Sequence, residues 1–117
     1  MEVIRGEVWW VDLSDPVVSG PGGARPVVVV QANAFNRSAI ATVVVAAISS
    51  NLRLADAPGN VVLPGREAGL RKPSVVNVSQ IVTLDRALLR SRAGKLRPAS
   101  FEAVSQGLRL VLGLNAA

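Results

Sequence analysis

Two strongly apolar runs constrain this chain most, Val27–Val30 and Ala41–Ile48, the second interrupted only by Thr42 and each too short for an ordinary helix. Consecutive valines lose rotamer freedom in a helix and pack well on a pleated surface, so both runs read as strands. Strands without polar alternation are buried on both faces. The stretch Ser74–Leu84 also has strand character, with Val76, Val78, Gln80 and Val82 alternating against Val75, Asn77, Ser79 and Ile81. Gln80 is the odd member of an apolar face and reads as a buried amide that satisfies backbone groups. The fold class is therefore mainly β, and a length of 117 residues suits one domain spanning 1–117.

The remaining segments fit round these strands. Glu7–Leu13 is a first strand, with Trp9, Val11 and Leu13 on one face and Val8, Trp10 and Asp12 on the other. Both tryptophans are expected to pack rather than to read bases. Ser14–Ala24 has the Gly/Pro/Ser composition of a long loop, Ala32–Ala39 that of a polar turn or short helix, and Asn51–Asn60 that of a second loop. Val61–Leu63 is a short strand, Glu67–Lys72 a turn, Asp85–Arg90 a helical turn and Ala93–Leu96 a brief strand. Pro98 suits the first position of a helix that runs to Leu112, with Phe101, Val104, Leu108, Val111 and Leu112 on its apolar face and Gly113 as its stop. Leu110 and Leu114 widen that face, towards either a groove in the core or a subunit contact.

With no histidine and no cysteine, the chain lacks the commonest general base, metal ligand and thiol nucleophile. Its chemistry must come from carboxylates, hydroxyls, lysines and arginines. The net charge of +5 is carried almost wholly by arginine, which pairs bidentately with phosphate or carboxylate, so a polyanion or an acidic protein is the expected partner. Arginine richness from base composition alone is the competing explanation. The longest uncharged run, Ser38–Leu52, is too short to span a membrane, and Met1–Arg5 lacks a signal-peptide pattern; a cytoplasmic location with no membrane association is expected.

Within this frame Arg25 stands out. The pair Gly22-Gly23 runs through Ala24 into Arg25, and Pro26 biases Arg25 towards an extended conformation at the mouth of the Val27–Val30 strand. If that strand and Ala41–Ile48 pair antiparallel as neighbours, Arg25 at the start of one and Ser49 at the end of the other lie at the same end of the sheet. A phosphate-binding cation then sits beside a hydroxyl.

The chain resembles the MazF/PemK family of toxin endoribonucleases in pieces that occur in the family's order. They are Arg5-Gly6-Glu7-Val8-Trp9-Trp10-Val11-Asp12-Leu13, Gly22-Gly23-Ala24-Arg25-Pro26, Asn36-Arg37-Ser38, Val45-Ala46-Ala47-Ile48-Ser49-Ser50, Gly69-Leu70 with Lys72 and Ser74-Val75-Val76, Ser79-Gln80-Ile81, Thr83-Leu84-Asp85 and Leu112-Gly113-Leu114. The resemblance implies an SH3-like β-barrel of the MazF/CcdB type with a C-terminal helix, and a homodimer. It implies metal-independent, cofactor-free, sequence-specific cleavage of single-stranded RNA (mRNA) through 2′-OH attack, and a cognate antitoxin with an acidic disordered tail. It assigns catalysis to Arg25 and Ser49. RNA contact is expected from the loops Ser14–Ala24 and Asn51–Asn60, with Arg53 as phosphate ligand, and from Gly22, Gly23, Asn36, Arg37, Ser50 and Gln80; solvated surface charge is the competing reading of Arg37 and Arg53. Where members often carry a loop glutamate this chain has Gly20, followed by Pro21; Ser79 stands where an acidic residue is common. The proton acceptor is left among Asp12, Asp15 and water. A gyrase inhibitor similar to the CcdB proteins and an inactive nucleic-acid-binding barrel are the alternatives; the ending Leu114-Asn115-Ala116-Ala117 lacks the aromatic end of the former.

Overall fold

The computed structural model describes residues 2–12 and 24–114. Its strands are β1 (Glu7–Asp12), β2 (Ala24–Val29), β3 (Thr42–Ser49), β4 (Val61–Leu63), β5 (Ser74–Asp85) and β6 (Leu89–Lys95). A one-turn helix α1 (Asn33–Asn36) links β2 to β3, and α2 (Pro98–Leu112) follows β6. The strands form one antiparallel sheet in the order β4-β5-β3-β2-β1-β6. The sheet curls into a half-barrel, so that Leu84 of β5 and Leu89 of β6 share an apolar cluster although their strands are not hydrogen-bonded neighbours.

Each central strand contributes to two clusters, as its strongly apolar character requires. Trp9, Val11, Val27, Val29, Val43 and Val45 meet Val3, Leu84 and Leu89 on one side. Val8, Val28, Ala46, Ile48, Val76 and Val78 meet Leu63, Leu70, Leu96 and Val104 of α2 on the other. Alternation of side chains along a strand produces this division. The expected separation of Trp9 and Val11 from Val8 and Trp10 is what the two clusters display.

Four local expectations are corrected. Asn51–Asn60, read as a loop, contains a 3₁₀ turn at Leu52–Asp56 that starts where the Asn51 side chain accepts the Arg53 N–H. Asn60 closes that segment: its Nδ2 donates to the Leu54 carbonyl and its Oδ1 accepts the Val78 N–H. The turn expected at Asp85–Arg90 is only Arg86–Leu88, initiated by the Asp85 carboxylate accepting the Ala87 N–H, and the strand expected at Ala93–Leu96 begins earlier, at Leu89. Pairing of Leu89–Lys95 with β1 overrides the polar composition of Arg90-Ser91-Arg92. Gln80, expected to be buried, is exposed, because β5 shifts register against β3 between Ala46↔Ile81 and Ala47↔Asn77.

Helix α2 has Pro98 in its first turn and ends at Gly113 in the left-handed conformation. Its inner face is Phe101, Val104, Ser105, Gly107 and Leu108, while Leu110, Val111, Leu112 and Leu114 at its end are exposed. No helix among the described residues is long and apolar enough to cross a membrane.

Glu7 is almost fully buried, and its carboxylate accepts the Ile4 N–H at 2.8 Å, the Trp9 indole N–H at 3.1 Å and an Arg92 N–H at 2.8 Å. Burial pushes its pKa upward, but the Arg92, Ile4 and Trp9 hydrogen bonds outweigh burial and hold it below the ordinary value. A carboxylate held lower in the folded than in the unfolded chain contributes stability above the unfolded value and loses it as pH falls through the folded one. Thermal melts should therefore show a loss of stability that sets in below about pH 4.5 and is smaller in Glu7→Gln, whose own stability at pH 7 is already reduced.

Candidate active site

The register of the central strands brings three chain segments to one end of the sheet. The β2–β3 ladder ends at the Val27 and Ala47 pair, and just beyond it, at the same end of the sheet, Arg25 and Ser49 both line one cleft. Ser49 in turn pairs with Val75 on its other side. The start of β2, the end of β3 and the start of β5 thus meet.

An open cleft of about 850 Å³ occupies this end. Arg25, Ser49, Ser50 and Gln80 line it together, with Arg71, Lys72, Ser74 and Trp10. Among the described lining residues the charged groups are all cationic. Arg25, Arg71 and Lys72 form no ion pair with a described carboxylate, whereas Arg90, Arg92 and Arg97 are engaged by Asp12, Glu7 and Glu67. Among the described residues, Arg90 and Arg92 on β6 and Arg97 beyond it are thus paired, while the three cleft cations have no described carboxylate partner.

Two of the polar groups are held in defined hydrogen-bonding states. Ser49 Oγ accepts the Asn51 N–H at 3.0 Å, which leaves its own O–H free to donate. Gln80 Oε1 accepts from Asn77 Nδ2 at 3.1 Å, and the buried Asn77 is itself fixed by accepting the Ser79 N–H and hydroxyl. The Gln80 amide N–H groups are left to donate. The β5 irregularity between the Ala46 and Ala47 pairings carries Gln80 out to the cleft, a use of bulges that alternation of the sequence cannot reveal.

Other candidates lie elsewhere. Asn36 is buried at the opposite end of the central strands: its Nδ2 donates to the Gln31 carbonyl and to Asn33 Oδ1, and its Oδ1 accepts from Gln31 Nε2. Arg37 follows it there, outside the cleft. Arg53 is exposed on the 3₁₀ turn just past Ser50, also outside the lining. Asp12, a candidate base, is paired with Arg90 at 3.1 Å and does not line the cleft. Gly22, Gly23 and the other candidate base, Asp15, lie outside the described residues.

Arg71, Lys72, Ser74 and Trp10 were not singled out from sequence as members of this site. A signal for Lys72 is present nonetheless: Lys72-Pro73-Ser74-Val75-Val76 repeats the cation, proline and β-former order of Arg25-Pro26-Val27-Val28-Val29. Both strands pair with β3 in the antiparallel sense, so both cation–proline entrances open at the same end.

A half-barrel with an open cationic cleft that an arginine and a hydroxyl line together suits a polyanion, whether a phosphate-bearing chain or an acidic segment. Residues 4–112 match the model of the PemK-like, MazF-like toxins of type II toxin–antitoxin systems. The chain is 45% identical over 114 residues to endoribonuclease MazF2 of Mycobacterium bovis and, equally, to endoribonuclease MazF6 of Mycobacterium tuberculosis; each alignment covers 97% of this chain and the whole of the relative. It superposes with a TM-score of 0.80 on a mycobacterial endoribonuclease solved in complex with its cognate antitoxin, at 29% identity, covering 98% of this chain and 99% of that one. The M. tuberculosis toxin MazF-mt6 shares the fold at a TM-score of 0.76 and 22% identity, covering 93% and 98% of the two chains. The chain belongs to the MazF/PemK family of type II toxins.

Proposed function

We propose that this toxin is an endoribonuclease that cuts single-stranded RNA at the cleft between the ends of β2, β3 and β5, with Arg25 and Ser49 as its catalytic pair. The observation that supports this reading is that Arg25 and Ser49 line one cleft whose described charges are all positive. The ribose 2′-oxygen attacks the adjacent phosphorus, its proton passes to Asp15 or to water, and the P–O5′ bond breaks. The products are a 2′,3′-cyclic phosphate and a 5′-oxygen that takes up a proton to become a 5′-OH. Negative charge accumulates on the non-bridging oxygens, where the Arg25 guanidinium donates bidentately and the Ser49 hydroxyl adds a further donor. Asp12 is engaged by Arg90 and does not line the cleft, which leaves Asp15 and water as the proton acceptors of this reading. Ser50 and Gln80 contact the RNA beside the reacting phosphate, and splayed bases of a short recognition sequence are read by the loops around the cleft.

The partners follow from the same cleft and from the family. A cognate antitoxin with an acidic tail is complementary to the cations that bind RNA, and the cytoplasm, where mRNA is met, is the working compartment. The chain works as a homodimer: Leu110, Val111, Leu112 and Leu114 expose an apolar patch at the end of α2 of the kind that a second copy covers.

The test is incubation of the purified chain with a long RNA in the presence of a chelator, followed by mapping of cut sites and ends. Cuts at one short sequence with cyclic-phosphate and 5′-OH ends are expected, from a protein that sediments as a dimer. An all-deoxy version of the mapped site should stay intact, because it lacks the nucleophile; its cleavage would refute 2′-OH attack.

A further inference from the structure

We propose that Arg71 and Lys72 form a preorganised clamp for a phosphate of the RNA backbone next to the one that Arg25 and Ser49 act on. The proposal rests on the cleft being the RNA site. Both side chains are exposed, both line the cleft, and neither has a described carboxylate partner. Their placement follows from topology, since β5 enters the sheet beside Ser49 on the side away from Arg25. A chain crossing the reactive centre therefore meets a cation on each side of it.

The backbone that carries them is unusually constrained. Arg66 and Ala68 adopt left-handed conformations, with φ of 73° and 56°, and Gly69 has φ of 79°. Left-handed non-glycine residues are uncommon and persist only where the surroundings impose them. Here Glu67, buried, accepts the Arg97 backbone N–H at 3.2 Å and an Arg97 guanidinium N–H at 3.0 Å. Leu70 is buried in the cluster under α2. Gly69 packs so closely on β6 that a Cβ there would lie 2.1 Å from the Ala93 carbonyl oxygen. Beyond the two cations, Ser74 Oγ donates to the Lys72 carbonyl at 3.1 Å. The segment is fastened on both sides of Arg71-Lys72, which supply its charges to the cleft lining. Such an arm holds two positive charges in place before the ligand arrives, which lowers the ordering cost of binding.

Phosphate binding by exposed cations has a distinctive signature, a salt dependence set by the number of phosphates neutralised. The experiment compares wild type with Arg71→Gln/Lys72→Gln and with a charge-matched control, Lys95→Gln/Arg109→Gln, on a 2′-O-methyl oligonucleotide of the mapped site that cannot be cleaved. Losing the contact to one phosphate of single-stranded RNA should flatten the slope of log affinity against log salt by about 0.7 and weaken binding roughly tenfold at about 50 mM salt. On cleavable RNA the arm variant should raise KM with kcat largely retained, and Arg71→Lys should restore most of the affinity. Unchanged slope and KM in the arm variant, with wild type binding normally, would overturn the clamp while leaving the reading of the cleft intact. Failure of wild type to bind or cut RNA would overturn both. Weaker binding of an oligoglutamate peptide with RNA binding unaltered would assign the arm to an acidic protein partner and would also overturn the proposal. Matching melting curves are expected, because both side chains are exposed.

Discussion

Arg25→Ala should lower RNA cleavage by about 10²–10³-fold while leaving the melting temperature within a few degrees of wild type. The size of the loss follows from the chemistry. A phosphorane gains negative charge at oxygens that carry less of it in the ground state, so a fixed guanidinium is worth more in the transition state than in the bound substrate. The fall should accordingly appear mainly in kcat, in contrast to the KM effect expected of Arg71 and Lys72. Arg25→Lys should recover little, since an ammonium lacks the planar pair of donors. The fold should survive because Arg25 is exposed at the strand entrance, while the buried part of β2 begins at Val27. Ser49→Ala should cost less, because it removes one neutral donor and leaves the charge interaction intact. Single-turnover rates on the mapped oligonucleotide, with melting curves of each variant, decide the matter; an Arg25→Ala protein that cuts at the wild-type rate would exclude Arg25 from catalysis.

The largest effect on stability is expected from Gly107→Ala, in the middle of α2. On an open helix this substitution should help, since alanine is favoured over glycine by about 1 kcal/mol in a helix interior. At this position the new methyl group would lie 2.1 Å from the Gly59 carbonyl oxygen, a backbone atom in the tight connection before β4. Gly59 itself has φ of 82°, and Asn60 beside it is tied to both Leu54 and Val78, so the connection has little room to move away. Overpacking of this kind typically costs about 1–3 kcal/mol, and with a backbone atom as the obstacle the upper part of that range is expected to exceed the propensity gain. For a chain of this size each kcal/mol shifts the melting temperature by roughly 4–8 °C. A fall of about 5–15 °C in a calorimetric scan is the expected outcome. Gly113→Ala, where nothing lies within 4 Å of the added carbon, should be milder, its cost confined to the left-handed backbone at φ of 69°. A melting temperature for Gly107→Ala at or above wild type would show that α2 can lift from the sheet without penalty.

Much of the site was legible because its key residues sit at strand ends, where sequence speaks plainly. The valine runs announce β2 and β3, Pro26 marks the entrance beside Arg25, and the simplest pairing of two successive buried strands brings Arg25 and Ser49 together. Gln80 was misread as buried because alternation assumes an uninterrupted ladder, and the irregular step in β5 is imposed by pairing with β3. Asn36 lies in an asparagine-rich turn that resembles a binding loop, yet its amide is consumed by Gln31 and Asn33 in closing the connection between β2 and β3. β6 was partly hidden because Arg90, Ser91 and Arg92 carry no strand signature; their partners on β1 supply it.

The sequence by itself determined that the chain is mainly β with one terminal amphipathic helix, that it works without histidine or thiol chemistry, and that Arg25 is a cation fixed at a strand entrance. These properties depend on residue types and short-range periodicity, which are local. Only the tertiary structure decided which cations are free for a ligand. Arg92 and Arg97 look no different from Arg71 in sequence, but the buried carboxylates of Glu7 and Glu67 claim the first two, from 85 and 30 residues away along the chain. Charge is a property of the sequence, whereas its availability to a phosphate depends on which opposite charges the fold brings within a few ångströms.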